Sequence, residues 1–446
     1  MPRVMRPPAV RAHCWKINRV KWIRLVVLFG ATLPLVPYLR SNVRLLKLVW
    51  MLIGFLPFVI ESVHLYMAAV SWVTWPGYAK GIELTVLDTL ALSLYLSMPR
   101  ASHPLPFRIA FGLYFLSTLL SALQAIAPEA TLFYSWQFAR IFLLYAVIVR
   151  GCANPVVPDA LLKGMAAGLL MEAVTVLWQR FGLGVLQASG TFFHQNELGM
   201  LSHFIVFPFF ALLLTGRAGV LPAVVFPAGA IVELMTTSRG TIALGALGYG
   251  LVFALSAMRG WTSRKGGILA VFVAAAAVIG PLAISAIAQR GAEQIEGSDN
   301  ERVAFEKAAS MMLTDHPMGV GANNFVEAAN TGGYYERAGV GWTSYSATVH
   351  NFYWLTVTEI GYFGLIACVI LFIVPLNVAF RCGLRHRQDI RADLLIGLGV
   401  AVLLVYIQSF EEWVFVTYRL QYVYAMDIGL IGGLATEMGY WRRLAS

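Results

Sequence analysis

The chain has 446 residues, of which 59% are hydrophobic and only 13% are charged, with a formal net charge of +10. Average soluble domains have about half of their residues apolar and about a quarter charged, so this composition excludes a soluble globular protein. It also excludes disordered, collagen-like and disulfide-scaffold chains, and we therefore predict an integral membrane protein.

The positive charge is spread over short segments between apolar stretches. Residues 1–24 contain seven basic residues and no acidic residue, and further basic groups follow within 100–108, 259–265 and 381–391. Cytoplasmic loops of membrane proteins collect Lys and Arg in this way. The charge thus predicts that both termini are cytoplasmic, and it does not indicate a nucleic-acid partner.

Thirteen apolar stretches follow along the chain. The first, residues 25–39, contains Pro34 and Pro37 and is shorter than the about 20 residues that a span needs, so we predict a re-entrant or interfacial element. Twelve crossings then leave both basic termini on one side. The twelve predicted spans are residues 44–60, 81–98, 109–126, 131–149, 159–178, 198–215, 220–236, 241–258, 268–288, 352–379, 393–410 and 414–437.

This pattern predicts one all-α domain over residues 1–446, a polytopic transmembrane helix bundle with one long external loop at 289–350. Other external segments are 61–80, the turn at 180–197 and short turns near 238–240 and 411–412. Within the long loop, Ser298 and Glu301 have the spacing of a capping box. We expect a helix that begins there and ends before His316, followed by a turn at 319–324.

Three ionisable residues are predicted on the external side: Arg239, Arg302 and His350. Together, two guanidinium groups and an imidazole suit an anionic phosphate leaving group and a general base. Taken singly, each has a simpler interpretation. Arg239 could be an interfacial residue whose side chain reaches the headgroups, Arg302 a solvated helix residue and His350 an interfacial histidine.

Two further groups of polar residues lie at predicted membrane boundaries. His194, Gln195 and Asn196 begin a span, where they could bind sugar hydroxyls or phosphate, or form a helix cap and turn. Glu411 and Glu412 could orient a base or an acceptor, but we expect them to be a solvated interfacial pair. Neither a zinc-binding motif nor a Walker-type phosphate loop occurs, so we predict no metal and no cofactor.

Four stretches carry a family resemblance. They are the glycine-led turn 190–199 (GTFFHQNELG), the Ser-Arg-Gly at 238–240, the loop start 301–321, and His350-Asn351 followed after nine residues by Gly361. In this order, and on one predicted face, they resemble the O-antigen ligase and O-antigen polymerase superfamily of bacterial envelope glycan enzymes. Outside residues 185–370 only the span pattern is similar.

The resemblance implies an enzyme of the bacterial inner membrane that transfers a glycan from an undecaprenyl-pyrophosphate carrier to an acceptor hydroxyl on the periplasmic face, with inversion. The acceptor is lipid A-core for a ligase, or a second carrier-linked repeat of an O-antigen or exopolysaccharide for a polymerase. Other polysaccharide assembly proteins are possible partners. Gly364 stands where ligase-type members often have Thr, which leaves both acceptors open.

By the same resemblance, Arg239 and Arg302 would hold the pyrophosphate and His350 would activate the acceptor hydroxyl. The residues expected to bind substrate around them are His194, Gln195, Asn196, Ser238 and Asn351.

Proteins of two other classes are the alternatives, a polysaccharide transporter and a structural membrane scaffold. A transporter concentrates polar groups near the middle of the membrane, often in two related halves. Here the densest polar group is predicted at the external edge and in one loop, which favours an enzyme. A scaffold gives no reason for Arg and His residues to share one face.

Overall fold

The computed structural model describes residues 19–99, 104–288 and 292–441. These residues form sixteen α-helices and one two-stranded sheet. In chain order the elements are α1 (Arg19–Ser41), α2 (Val43–Val59), β1 (Tyr66–Ser71), β2 (Gly81–Thr85), α3 (Val86–Ser97), α4 (Arg108–Leu120), α5 (Pro128–Gly151), α6 (Val156–Leu177), α7 (Gln195–Thr215), α8 (Leu221–Met235), α9 (Arg239–Arg259), α10 (Ser263–Ala288), α11 (Ala292–Asp315), α12 (Phe325–Thr331), α13 (Tyr334–Ala338), α14 (Phe352–Arg385), α15 (Ile390–Gln408) and α16 (Tyr418–Glu437).

Six of the described helices are long and apolar enough to cross a membrane: α5, α6 with the turn that follows it, α7, α9, α14 and α15. Four others, including α4 and α8, are apolar but shorter. Together with the composition, these helices indicate a membrane protein built mainly of helices. The larger number of about twelve crossings stays a prediction.

The predicted span at 81–98 is wrong. Gly81–Thr85 is a strand that pairs antiparallel with Tyr66–Ser71, and only the twelve residues of α3 are helical. Twelve residues rise about 18 Å, far less than the roughly 30 Å of a bilayer core. A reciprocal cap between Thr85 and Asp88 ends the strand and begins the helix. The chain is therefore not purely α-helical.

The first predicted element is longer than its apolar pattern indicated. Residues 25–39 belong to α1, a helix of 23 residues that contains Pro34 and Pro37. Each proline removes one N–H donor from the helix, but neither ends it here. The basic residues 1–18 and the basic pair Arg442–Arg443, which the orientation prediction uses, lie outside the described residues.

The long loop contains three of the helices, α11, α12 and α13. Helix α11 ends at Asp315, as predicted before His316, but it already includes Ala292. Ser298 therefore lies inside the helix, and the predicted start at a capping box is wrong. The short helices α12 and α13 follow the turn at 319–324.

Helix α14 is broken at Gly361, which has φ 74° and ψ −178°. The break leaves the carbonyl groups of Thr358 and Glu359 available to the turn of the long loop. They accept hydrogen bonds from the N–H groups of Val320 (2.9 Å) and Gly321 (2.8 Å). The loop is thereby fastened to the middle of a long helix.

The helices share one continuous apolar core. Helix α7 packs against α8, α9 and α15, α2 packs against α6, and α16 packs against α5. One cavity is lined by the first residues of α7 and α9, by His350 just before α14 and by the last residue of α15. The packing therefore gathers several helix ends at one place.

We expect Gly361→Ala to lower the melting temperature in detergent. Its positive φ favours glycine, and an added Cβ would lie 2.6 Å from the carbonyl oxygen of Met318. Strain of this kind costs about 1–3 kcal/mol. The control is Gly112→Ala in α4, where an added Cβ has no atom within 4 Å, so the melting temperature should stay the same or rise. Equal melting temperatures for both variants would contradict a structural role for the break.

Candidate functional site

A polar cavity of about 240 Å³ lies where these helix ends meet. Seven of the eight site residues predicted from the sequence line it, and Asn351 does not. The lining residues are His194, Gln195, Asn196, Ser238, Arg239, Gly240, Glu301, Arg302, His350, Gln408, Glu411 and Glu412.

Two helices begin at this cavity. His194 is the N-cap of α7 and Ser238 is the N-cap of α9, and the first residues of both helices line the cavity. Helix α14 begins next to it, but its N-cap Asn351 does not line the cavity, and its first N–H groups are bonded to Asn351 and Ser409. The aligned peptide dipoles place partial positive charge at a helix N-terminus. Two helix N-termini beside two guanidinium groups make the cavity suited to an anion.

Arg239 is the first residue of α9 and forms a two-pronged ion pair with Asp299 of α11. Its Nη2 lies 2.8 Å from Oδ1, and its Nη1 lies 3.4 Å from Oδ2. Both side chains are partly exposed to solvent, with exposures of 39% and 50%. An exposed pair of this kind contributes only about 0–1 kcal/mol, so a phosphate group could displace the carboxylate.

Arg302 approaches the cavity from α11 and donates through Nη2 to Oε1 of Glu412, at 3.1 Å. The side-chain amide of Asn196 donates to the same oxygen. The Nε and Nη1 donors of Arg302 make no hydrogen bond within the described part of the chain. They are available to a ligand that enters the cavity.

The prediction of a solvated Glu411–Glu412 pair is wrong for Glu412. Its side chain is buried, and its Oε2 has no hydrogen-bond partner among the described residues. Burial raises the pKa of Glu412 to about 8, with a further contribution from Glu411, although the Arg302 guanidinium opposes this shift. Glu412 therefore changes its protonation state near neutral pH, directly beside Arg302.

His350 lies two residues before α14 and is half-buried, with its ring 5.9 Å from that of Phe305. Burial, together with the smaller effects of Arg302 and the neighbouring His194, lowers the pKa of His350 to about 4. The imidazole is therefore neutral at pH 7 and has a nitrogen lone pair available to accept a proton.

His194 and Asn351 use their side chains to cap helices. The Nδ1 of His194 accepts a hydrogen bond from the N–H of Asn196 at 3.2 Å, so the cap-and-turn interpretation of this residue is correct and its imidazole still lines the cavity. Burial and Arg302 lower the pKa of His194. Asn351 caps α14 through Oδ1 and donates through Nδ2 to Glu306 at 3.0 Å, so its amide holds the chain beside His350 in position.

Sequence reasoning missed Gln408 as well as the burial of Glu412. The Nε2 of Gln408 donates to Oγ1 of Thr241 at 3.1 Å, while its Oε1 is buried and has no partner among the described residues. Its one sequence signal is a lone amide at the end of an apolar helix, which many helix ends share. Within the described ranges, no group of three or more His, Cys, Asp or Glu side chains is arranged to hold a metal ion.

No protein-family model matches the chain, and no curated protein matches it in a sequence search. Membership of the O-antigen ligase and polymerase superfamily therefore stays a prediction from the four stretches described above.

We expect NMR of histidine-labelled protein to give a pKa for His350 near 4, and we expect Arg302→Gln to raise it, because one source of positive charge is removed. Arg337→Gln, in the same loop but outside the cavity, is the control and should leave it unchanged. The unfolded chain keeps a pKa near the ordinary 6.5 and takes up the proton first. This group therefore destabilises the fold as pH falls from about 6.5 to about 4. An unchanged pKa in Arg302→Gln would contradict the electrostatic coupling.

Proposed function

We propose that the protein is a membrane glycosyltransferase that moves a glycan from an undecaprenyl-pyrophosphate carrier to the hydroxyl group of an acceptor. The observation that carries this proposal is the single cavity that holds two guanidinium groups and a neutral imidazole beside the N-termini of α7 and α9. The proposal also rests on the family resemblance of residues 185–370.

The donor requires a site that stabilises a pyrophosphate leaving group. Arg239 and Arg302 offer charged donors in the fork geometry that suits phosphate oxygens, and the helix N-termini add partial positive charge. Donors fixed in place before the reaction stabilise charge as it develops on the leaving group. In this proposal the phosphate oxygens replace the Asp299 carboxylate at Arg239.

His350 is the proposed general base. The acceptor oxygen attacks the anomeric carbon, its proton passes to the imidazole, and the bond between the anomeric carbon and the pyrophosphate oxygen breaks with inversion. The electron pair of that bond leaves on the pyrophosphate. A base with a pKa near 4 is weak, but the negative charge of a bound donor would offset Arg302 and raise the pKa of His350.

The proposed setting is the bacterial inner membrane, with both termini cytoplasmic and the cavity on the periplasmic face. The bilayer supplies the carrier, and other polysaccharide assembly proteins would be partners. Lipid A-core is the acceptor of the ligase reaction. The polymerase reaction, with a second carrier-linked repeat as acceptor, is favoured by one observation: Gly364 stands where ligase-type members often have Thr.

We expect His350→Ala to lower the rate of transfer by about 10²–10⁴-fold while donor binding stays nearly unchanged, because the general base is lost and the cations remain. The assay uses purified protein, a pyrophosphate-linked glycan donor and EDTA, with lipid A-core and a second carrier-linked repeat supplied separately. His316→Ala, an exposed histidine of the same loop, is the control. The acceptor that yields product identifies ligase or polymerase. Equal activity of the His350 variant would contradict its role, and product with neither acceptor would contradict the proposed function.

Arg239→Lys should weaken donor binding by about tenfold or more, although the charge is kept. A lysine ammonium cannot make the two parallel hydrogen bonds of a guanidinium fork. The measurement is the KM for the donor in the same assay, with Arg337→Lys as the matched control. Wild-type donor KM in Arg239→Lys would count against a pyrophosphate site at this residue.

A further inference from the structure

A second cavity, of about 330 Å³, adjoins the first. Thr348, which lines it, is two residues before His350, and consecutive Cα atoms are only about 3.8 Å apart. In three further places a residue of the first cavity has its sequence neighbour in the second: His194 and Phe193, Asn196 and Glu197, and Glu412 and Trp413. The same short segments therefore separate the two cavities.

Aromatic rings and hydrogen-bonding groups alternate around the second cavity. Phe193 is 83% exposed, Trp413 is half-buried, and the hydroxyl groups of Ser346 and Thr348 lie nearby in the lining. Aromatic faces combined with a few placed polar groups are typical of sites that bind amphipathic ligands. A sugar ring has both an apolar C–H face and hydroxyl groups, so it fits this lining.

Thr348 supplies an independent indication of a ligand. Its side chain is only 6% exposed, and its Oγ1 has no hydrogen-bond partner among the described residues. A buried hydroxyl without a partner is destabilising. Thr348 lines the adjoining cavity, and rotation about χ1 would bring its hydroxyl to that surface, where a ligand hydroxyl would provide the missing hydrogen bond.

The charges of the lining favour an anionic ligand less than those of the first cavity do. The lining includes the carboxyl groups of three residues, Glu61, Glu197 and Glu359. It also includes two cations, Arg419 and Lys80. The Arg419 guanidinium is already used, because it donates to the backbone carbonyl groups of Pro57 and Phe58 and to Thr191. The other cation, Lys80, is exposed and makes no ion pair with a described residue.

We propose that the second cavity binds a neutral sugar ring of the acceptor and presents its hydroxyl group to His350. This inference rests on the proposed function, and it separates the two substrates by charge. The anionic donor occupies the cavity with the cations and helix N-termini, and the neutral acceptor sugar occupies the cavity with aromatic rings and carboxyl groups. The transfer step itself is the one given above.

The first test is Phe193→Ala. Loss of the exposed ring should raise the KM for the acceptor by about tenfold and leave the donor KM within about twofold, since Phe193 lines the second cavity and not the first. The matched control is Trp342→Ala, an aromatic side chain of the long loop that is 82% exposed and lines neither cavity. Equal acceptor KM in the two variants would overturn the inference.

The second test is Thr348→Val, which removes the unpartnered hydroxyl and keeps the shape of the side chain. The melting temperature should stay the same or rise, because no hydrogen bond within the protein is lost. The acceptor KM should nevertheless rise several-fold. A lower melting temperature with unchanged acceptor KM would show a structural role only and would overturn the inference.

A binding measurement separates this inference from the proposed function. Neutral trisaccharides of glucose, galactose and N-acetylglucosamine, each with and without a terminal phosphate, are titrated against the full-length protein while tryptophan fluorescence is followed. We expect at least one neutral trisaccharide to bind, to lose about tenfold in affinity in Phe193→Ala, and to bind more tightly than its phosphorylated form. If a neutral trisaccharide binds in this way but the protein transfers no glycan, the proposed enzyme activity is wrong and the sugar site stands. Transfer by the wild type with no trisaccharide bound, or with phosphorylated forms preferred, would overturn the sugar site alone.

Discussion

The break in α14 at Gly361 is the constraint on which the site depends. Because the helix is interrupted there, the backbone of Thr358 and Glu359 accepts hydrogen bonds from the turn that follows α11. That turn fixes the end of α11, and α11 carries Arg302 to the start of α14, where His350 lies. A long polar segment is thus held against the bundle by backbone hydrogen bonds, which need a positive φ at Gly361 and also at Gly319 and Gly321 of the turn.

The same turn also holds the segment between β1 and β2. Asn323, with φ 65°, accepts a hydrogen bond from the N–H of Ala79 and donates to the carbonyl groups of Ala79 and Ala130. The hydroxyl of Tyr78 accepts from the N–H of Asn323 and donates to the carboxyl group of Glu359. Elements that are far apart in sequence are joined here by buried polar groups that satisfy one another. This network forms one wall of the second cavity.

In the first cavity, carboxyl groups of the protein pair with the two guanidinium groups that would bind an anion. Arg239 is paired with Asp299 and Arg302 with Glu412, so each guanidinium has a carboxyl partner in the free protein. The exposed Asp299 pair can open at little cost, whereas the buried Glu412 can take up a proton near neutral pH. In both pairs, the guanidinium group can therefore exchange its carboxyl partner for a ligand.

The sequence alone determined the class of protein, because few charges and long apolar stretches follow from burial in lipid. It also located the starts of α7, α9 and α14 closely, because the apolar runs from 198, 241 and 352 begin there, and it offered a cap as one interpretation of His194. Only the tertiary structure decided that β2 replaces the start of a predicted span, that Glu412 is buried beside Arg302, and that two cavities share one wall. Those features depend on contacts between separate segments, such as β1 with β2 and Arg302 with Glu412, which is 110 residues away, and local hydrophobic periodicity carries no information about such contacts.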